Sequence, residues 1–205
     1  MMKRLITLAA IFLMTVSAVV AAETSAAEVL RQATTALKQS QSIEAAFTIT
    51  QGKTTSSGRI IMSGNNFNLS TPDMVVWFNG KTQWAYSPTA GEVNISEPTV
   101  DELEQINPFV IITAMQKSFT SRRVKASVAN TNSIELTPKT KSDYKRIVAT
   151  FSCSTHLPVS FVITTTDNAV TTVKVTSIKQ GARYPASQFS FNAKLYPGVD
   201  IVDLR

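Results

Sequence analysis

Apolar and polar residues alternate along much of this chain with a period of two. Phe67 and Leu69 alternate with Asn66, Asn68 and Ser70, Trp84 and Tyr86 with Gln83, Ala85 and Ser87, and Val93 and Ile95 with Glu92, Asn94 and Ser96. That period is the mark of half-buried strands, and it predicts that these apolar side chains share one face of a sheet. Asn79-Gly80 stands between two such runs, where a type I′ hairpin turn is expected because both residues tolerate positive φ. Further strands are predicted over residues 47–49, 59–63, 75–78, 134–136, 144–151, 159–164, 171–178 and 189–191. Residues 52–58, 64–65, 72–73, 87–91, 167–168 and 180–181 read as turns. Strands this short, at near-regular spacing, predict an antiparallel sandwich or barrel.

Few helices interrupt them. Ser25-Ala26-Ala27-Glu28 is a capping box, in which the serine side chain takes a free backbone N–H and the glutamate reaches back. It predicts a helix over residues 26–39 with Val29, Leu30, Ala33, Ala36 and Leu37 as its apolar stripe, ended by Ser40-Gln41-Ser42. Thr99-Val100-Asp101-Glu102 is a second capping box, opening a short helix with Leu103 and Ile106; Asn107-Pro108 ends it and starts another. Residues 109–119 carry Phe109, Val110, Ile111, Ile112, Ala114, Met115 and Phe119, too wide an apolar surface for an exposed helix. This helix is expected to be buried or to cover something apolar, such as the mouth of a curved sheet. Strands resume from Val124. So few helices leave much apolar sheet surface to cover, so the sheet folds on itself or keeps an apolar concavity for something else.

Met1 to Ala22 reads as a cleaved export signal rather than part of the fold. Lys3 and Arg4 precede an apolar stretch over residues 5–20, and Val20-Ala21-Ala22 offers small residues for cleavage. Its removal leaves 183 residues, 23–205, expected to form one domain. Cys153 is the single cysteine, which excludes an internal disulfide and an N-terminal lipid anchor, and it is expected as a half-buried strand-end residue. The whole chain is +6 and the exported part +4, too mild for a nucleic-acid partner. Lys139, Lys141, Lys145 and Arg146 flank a turn, and Arg122, Arg123 and Lys125 follow the apolar helix. These are solvated element ends or a docking face for an acidic partner.

Catalytic chemistry is thinly represented. His156 is the single histidine, in a Thr155-His156-Leu157-Pro158 turn, and neither a metal-ligand spacing nor a Gly-x-Ser-x-Gly nucleophile turn accompanies it. Gly80-Lys81-Thr82 mimics the end of a phosphate-binding loop but lies between two strands, and Val75 occupies the place of that loop's first glycine. Asp101, Glu102 and Glu104 suit a helix start and have no second carboxylate to work with. The chain is therefore expected to be no enzyme and to need no metal or cofactor. Shielding an apolar guest is the task its residues suit. An acyl chain of about fifteen methylenes costs about 12 kcal/mol to leave in water at ~0.8 kcal/mol each. Aromatic and methionine side chains suit such a surface, with Trp77, Trp84, Tyr86, Phe109, Met115 and Phe119 the first candidates and ordinary core packing the competing account of each.

The chain also resembles a known family, the periplasmic carriers of outer-membrane lipoproteins called LolA and their LolA-like relatives. The resemblance is carried by Ile43-x-x-x-Phe47-x-x-x-Gln51 after the first helix, and by Thr71-Pro72-Asp73 before Asn79-Gly80-Lys81-Thr82-Gln83-Trp84-x-Tyr86. It continues in Asn107-Pro108-Phe109, in Leu136-Thr137-Pro138-Lys139, and in Phe189-x-Phe191 followed by Pro197-Gly198-Val199-Asp200-x-x-Asp203. It implies an incomplete antiparallel β-barrel with an N-terminal helix and central lid helices plugging its mouth. The implied role is a monomeric periplasmic carrier, with no enzymatic activity, that binds lipoprotein acyl chains between sheet and helices. Such a carrier takes its cargo from an inner-membrane ABC transporter that releases lipoproteins and passes it to an outer-membrane acceptor. Family members carry an arginine before the third strand that ties the lid down. Here the stretch is Met62-Ser63-Gly64-Asn65-Asn66-Phe67, and Arg59 lies nearby but out of place.

On this reading the cavity is lined by Ile49, Ile60, Met62, Leu69, Val75, Trp77, Trp84, Tyr86, Val93, Ile134, Val148 and Phe161, with Phe109, Ile112 and Met115 contributed by the lid. The phase is ambiguous where apolar residues run together, as in residues 74–78. A carrier or sensor of other lipids or apolar small molecules, and a structural domain with a filled core, are the competing readings.

Overall fold

A computed structural model describes residues 24–99, 102 and 117–205. The first described element is helix α1, Ala26–Gln39, with Ser25 as N-cap and Ser40 as C-cap. Its boundaries are those predicted. The Ser25 hydroxyl accepts from Glu28 N at 3.2 Å, but the Glu28 carboxylate does not reach back: it grips the Arg31 guanidinium at 2.6 Å instead. Val29, Leu30 and Ala33 are buried and Ala36 and Leu37 half-buried, so the stripe faces the sheet as predicted. Burying Val29 and Leu30 contributes about 1.5–3 kcal/mol each, more than the cap, which is worth about 1 kcal/mol.

Among the described residues twelve strands follow: β1 Ile43–Gln51, β2 Thr54–Ser63, β3 Asn66–Ser70, β4 Val75–Phe78, β5 Gln83–Ser87, β6 Glu92–Ser96, β7 Phe119–Val124, β8 Thr131–Pro138, β9 Tyr144–Ser152, β10 Pro158–Thr165, β11 Val170–Gln180 and β12 Asp200–Asp203. All belong to one sheet, in the order β12-β6-β5-β4-β3-β2-β1-β11-β10-β9-β8-β7. Two meanders therefore join where β1 pairs β11, and among the described residues the single parallel contact is β12 on β6. The sheet is mainly antiparallel, open between its β12 and β7 edges, and curled into an incomplete barrel rather than a two-sheet sandwich. After β6, second from one edge, the chain re-enters the sheet as β7 at the other edge.

Several turns differ from expectation for identifiable reasons. Gln51 pairs Thr54, so the turn after β1 is only Gly52-Lys53, and residues 54–58 belong to β2 rather than to a loop. Gly52, at φ +58°, takes the left-handed position that such a two-residue turn requires. Asn79-Gly80 does not form a type I′ turn. Phe78 pairs Gln83 across four residues, and Asn79 Oδ1 accepts from Lys81 N and Thr82 N, a side-chain turn that replaces the backbone one. Strands resume at Phe119, not Val124, which places Arg122 and Arg123 inside β7. Residues 189–191 are not a strand: Ala186–Phe189 is a 3₁₀ turn, and Ala193–Leu195 a second. Cys153 is an exposed turn residue just past β9. His156 occupies the same turn at φ +57°. Phe109, Ile112, Met115 and the proposed signal segment lie outside the described residues. Thr99 and Glu102 do make the reciprocal bonds of the second capping box, Thr99 N to Glu102 Oε2 at 2.7 Å and Glu102 N to Thr99 Oγ1 at 3.4 Å.

One contact fixes how β1 and β2 lie together. The Phe47 ring rests on Gly58 across the pair, and a Cβ at Gly58 would collide with Phe47 Cζ and Cε2. A strand glycine here marks close approach rather than weakness. Gly58→Ala should therefore lower stability by about 1–3 kcal/mol through overpacking, read as a fall in the urea midpoint. An unchanged midpoint would mean that the ring moves aside freely.

Candidate functional site

The register sorts every side chain onto one of two faces, because directly opposed residues in a pair point the same way. At the centre of the sheet Ile43 opposes Met62, Ala45 opposes Ile60 and Ile178, and Ile49 opposes Val173. The row runs on from Val173 to Phe161, Ala149 and Ile134. In the other direction it runs from Ile60 to Leu69, Val76 and Ala85. These residues form one apolar cluster with Val29, Leu30 and Ala33 of α1, so this is the inner face. Its coverage is uneven. Ile60, Ile134 and Leu136 are fully buried, whereas Ile49, Met62, Ile163, Val173 and Val175 remain half-exposed. The half-exposed strip crosses β2, β1, β11 and β10.

The opposite parity belongs to the outer face. Val75 opposes Tyr86, Trp77 opposes Trp84, Tyr86 opposes Val93, and Trp84 opposes Ile95. The expectation that Phe67, Leu69, Trp84, Tyr86, Val93 and Ile95 share one face therefore fails. Phe67 opposes Phe78, and Asn68 opposes Trp77, so the apolar side changes across β4. That strand, Val75-Val76-Trp77-Phe78, is apolar on both faces and supplies no alternation by which to set its phase.

The candidate lining divides accordingly. Ile49, Ile60, Met62, Leu69, Ile134 and Phe161 come together on the inner face. Val75, Trp77, Trp84, Tyr86 and Val93 lie outside on β4–β6, and Val148, opposite Glu135 and Val162, lies outside on β9. These two groups do not line a common cavity. Inner-face residues beyond the candidate set include Val173, Val175 and Ile163, although Val173-Lys174-Val175 alternates plainly enough to have announced them.

The outer face has its own cover. After β11 the chain crosses it and ends in β12. Trp77 has ring centroids 5.6 Å from those of both Phe191 and Tyr196, and Tyr86 lies 4.9 Å from Tyr196. Val93 is completely buried and Trp77 nearly so. An open groove of about 530 Å³ runs beside Trp77, bounded by Ser187, Gln188, Phe191 and Tyr196. The crossing segment is tied down at its start, where the Tyr184 hydroxyl donates to Glu44 Oε2, a carboxylate that Arg59 also holds at 3.0 Å. Hydrogen bonding from Tyr184, then from Arg59, keeps Glu44 below the ordinary carboxylate range. The same bond, then burial, raises the Tyr184 hydroxyl. Arg59 is thus an outer-face residue and fastens the C-terminal segment.

Residues 16–149, well over half of the chain, match the family model described as outer membrane lipoprotein carrier protein LolA. The chain belongs to the LolA family. Among curated proteins no sequence matches it. Among solved structures, a conserved protein of Thermus thermophilus is similar at TM-score 0.61 and 12% identity, covering 87% of this LolA-family chain and 98% of its own. A LolA superfamily protein of Nitrosomonas europaea gives TM-score 0.43 at 11% identity over 82% and 98%. The lipoprotein LppX of Mycobacterium tuberculosis gives 0.44 at 12% over 77% and 96%. The likeness to the Thermus protein is one of fold.

The Tyr184–Glu44 tie makes a pH-dependent prediction. Because the Glu44 pKa is depressed on folding, its contribution is present above the unfolded carboxylate value near ~4.3 and is lost as pH falls through the folded value. Tyr184→Phe should cost about 1 kcal/mol at pH 7. The cost should shrink at pH 3, compared by urea unfolding at the two pH values. An equal cost at both would reduce the hydroxyl to a packing role.

Proposed function

We propose that this LolA-family chain is a non-enzymatic periplasmic carrier. It holds the acyl chains of lipoproteins against its inner face and moves them from the inner to the outer membrane. The observation that carries this reading is the half-exposed apolar strip of Ile49, Met62, Ile163, Val173 and Val175 on the face that also holds the buried apolar cluster. A filled structural core has no reason to leave so wide a row of branched side chains short of cover. An acyl chain laid along the strip recovers part of the ~12 kcal/mol that about fifteen methylenes cost in water. Partial cover suits a carrier, which must also release.

Ile60, Leu69, Ile134 and Phe161 flank the strip on the same face, and Phe109, Ile112 and Met115 supply the lid. Export by a cleaved segment ending at Ala22, loading from an inner-membrane ABC transporter and delivery to an outer-membrane acceptor complete the proposal. Family membership supports the lipoprotein cargo over other apolar guests.

Purified protein should bind a triacylated lipopeptide and keep it in solution, and should ignore the same peptide without its acyl chains. Val173→Glu places a charge in the strip and should weaken lipopeptide binding at least about tenfold, since even a few lost methylene contacts reach that figure. Lys174→Glu, one residue away on the outer face, should not. Equal affinity for acylated and bare peptide, or equal effects of the two variants, contradicts the reading. In cells, depletion should leave outer-membrane lipoproteins at the inner membrane. Normal sorting under depletion would exclude the shuttling role.

A further inference from the structure

Around β8–β10 the inner face is mostly apolar, and the edge strand β7 turns one charged side chain toward it. Arg123 opposes Ile134 in the β7–β8 pair, so it points inward with the row that ends in Ile49 and Val173. Its Nη1 is buried and, among the described residues, has no hydrogen-bond partner. Arg122, one residue earlier, points outward and is fully engaged: its Nη2 lies 2.7 Å from Glu135 Oε1, and Arg146 reaches the same carboxylate at 3.5 Å. Glu135 is on the outer parity of β8 and is not available to Arg123. The inward positions of β8 are Asn132, Ile134, Leu136 and Pro138, and those of β9 are Ile147, Ala149 and Phe151, so neither strand turns a carboxylate toward it.

A guanidinium is always charged, donates five hydrogen bonds and accepts none. Arg123 is only half-buried, but a guanidinium nitrogen shielded from water without an acceptor is unfavourable and calls for an explanation. Thr34 Oγ1, on the helix that packs against β7 and β8, and Gln83 Oε1, on β5, are also buried without a partner among the described residues. One apolar surface thus ends at a cation with unused donors.

We propose that Arg123 is a head-group contact of the inner face, and that beside lipoprotein acyl chains this face takes single-chain amphiphiles bearing an anionic oxygen, as a carboxylate or a phosphate ester. This rests on the inner face being the acyl surface. It goes further, because among single-chain amphiphiles it selects charged heads over neutral ones. The carbon chain lies along Ile134, Phe161 and Val173 while the head pairs with the guanidinium, in two parallel N–H···O bonds where geometry allows.

The test uses the processed protein and measures affinity for oleate, oleyl alcohol and oleoyl lysophosphatidic acid, each below its aggregation limit. Oleate or the lysophosphatidate should bind at least about tenfold more tightly than the alcohol, as a charge-assisted bond implies. Whichever anion binds better identifies carboxylate or phosphate as the preferred head. Arg123→Gln should bring that ratio close to one and leave alcohol affinity unchanged, and Arg122→Gln should keep the preference. Arg123→Lys, which keeps the charge and loses the fork, should give an intermediate ratio and serves if the glutamine variant does not fold. If the alcohol binds as well as the anions in the native protein, or the preference survives loss of Arg123, the inference is overturned while the acyl surface stands. If none of the three binds, the acyl surface fails as well.

Discussion

A strand can offer alternate residues to only one of two faces, and twelve strands hydrogen-bonded into one sheet carry that parity across the whole molecule. Everything else here follows from how the two faces are covered. Helix α1 covers part of the inner one. The C-terminal segment, through Phe191, Tyr196 and β12, covers the outer one beside Trp77, Tyr86 and Val93. Cover is therefore generous outside β4–β6 and incomplete inside β1, β10 and β11. The bulge at Ala46/Phe47 in the β1–β11 pair keeps Phe47, Val175, Ala45 and Ile178 in the inner cluster despite the shift in pairing.

The two halves of the chain treat parity differently. From β8 to β11 the inner row is mostly apolar and the outer row largely polar, as Glu135, Arg146 and Lys174 illustrate. From β4 to β6 the outer row is aromatic and the inner row turns polar at Gln83, Asn94 and Ser96. A sheet that reverses its apolar side partway along needs a strand able to face apolar surroundings on both sides, and Val75–Phe78 is that strand. The aromatic side chains that looked best suited to a guest are thereby committed to the protein's own C-terminal segment. The guest surface is left to branched aliphatics.

Sequence made α1 legible to the residue, because capping, stripe and terminator agree there. β3, β5 and β6 were legible because each alternates cleanly, and family membership was legible in the spacing of turns and strand ends. The division of candidate residues between faces was not. No local signal sets the phase of four consecutive apolar residues at 75–78, and the choice depends on which distant segment covers which side. Phe189-x-Phe191 alternates like a strand, yet its rings serve a segment that crosses the sheet instead of joining it. Arg123 looked like a solvated charge beyond a helix end. Only its pairing with Ile134 turns it inward.

The central claim is that an acyl guest meets one parity of this sheet and not the other. Intermolecular nuclear Overhauser effects between a bound acyl chain and assigned methyl groups test it directly. Contacts to Ile49, Ile163 and Val173, with none to Val75, Ile95 or Ile201, are the predicted result. Contacts confined to the outer methyls, or to neither set while the chain stays bound, would contradict the account.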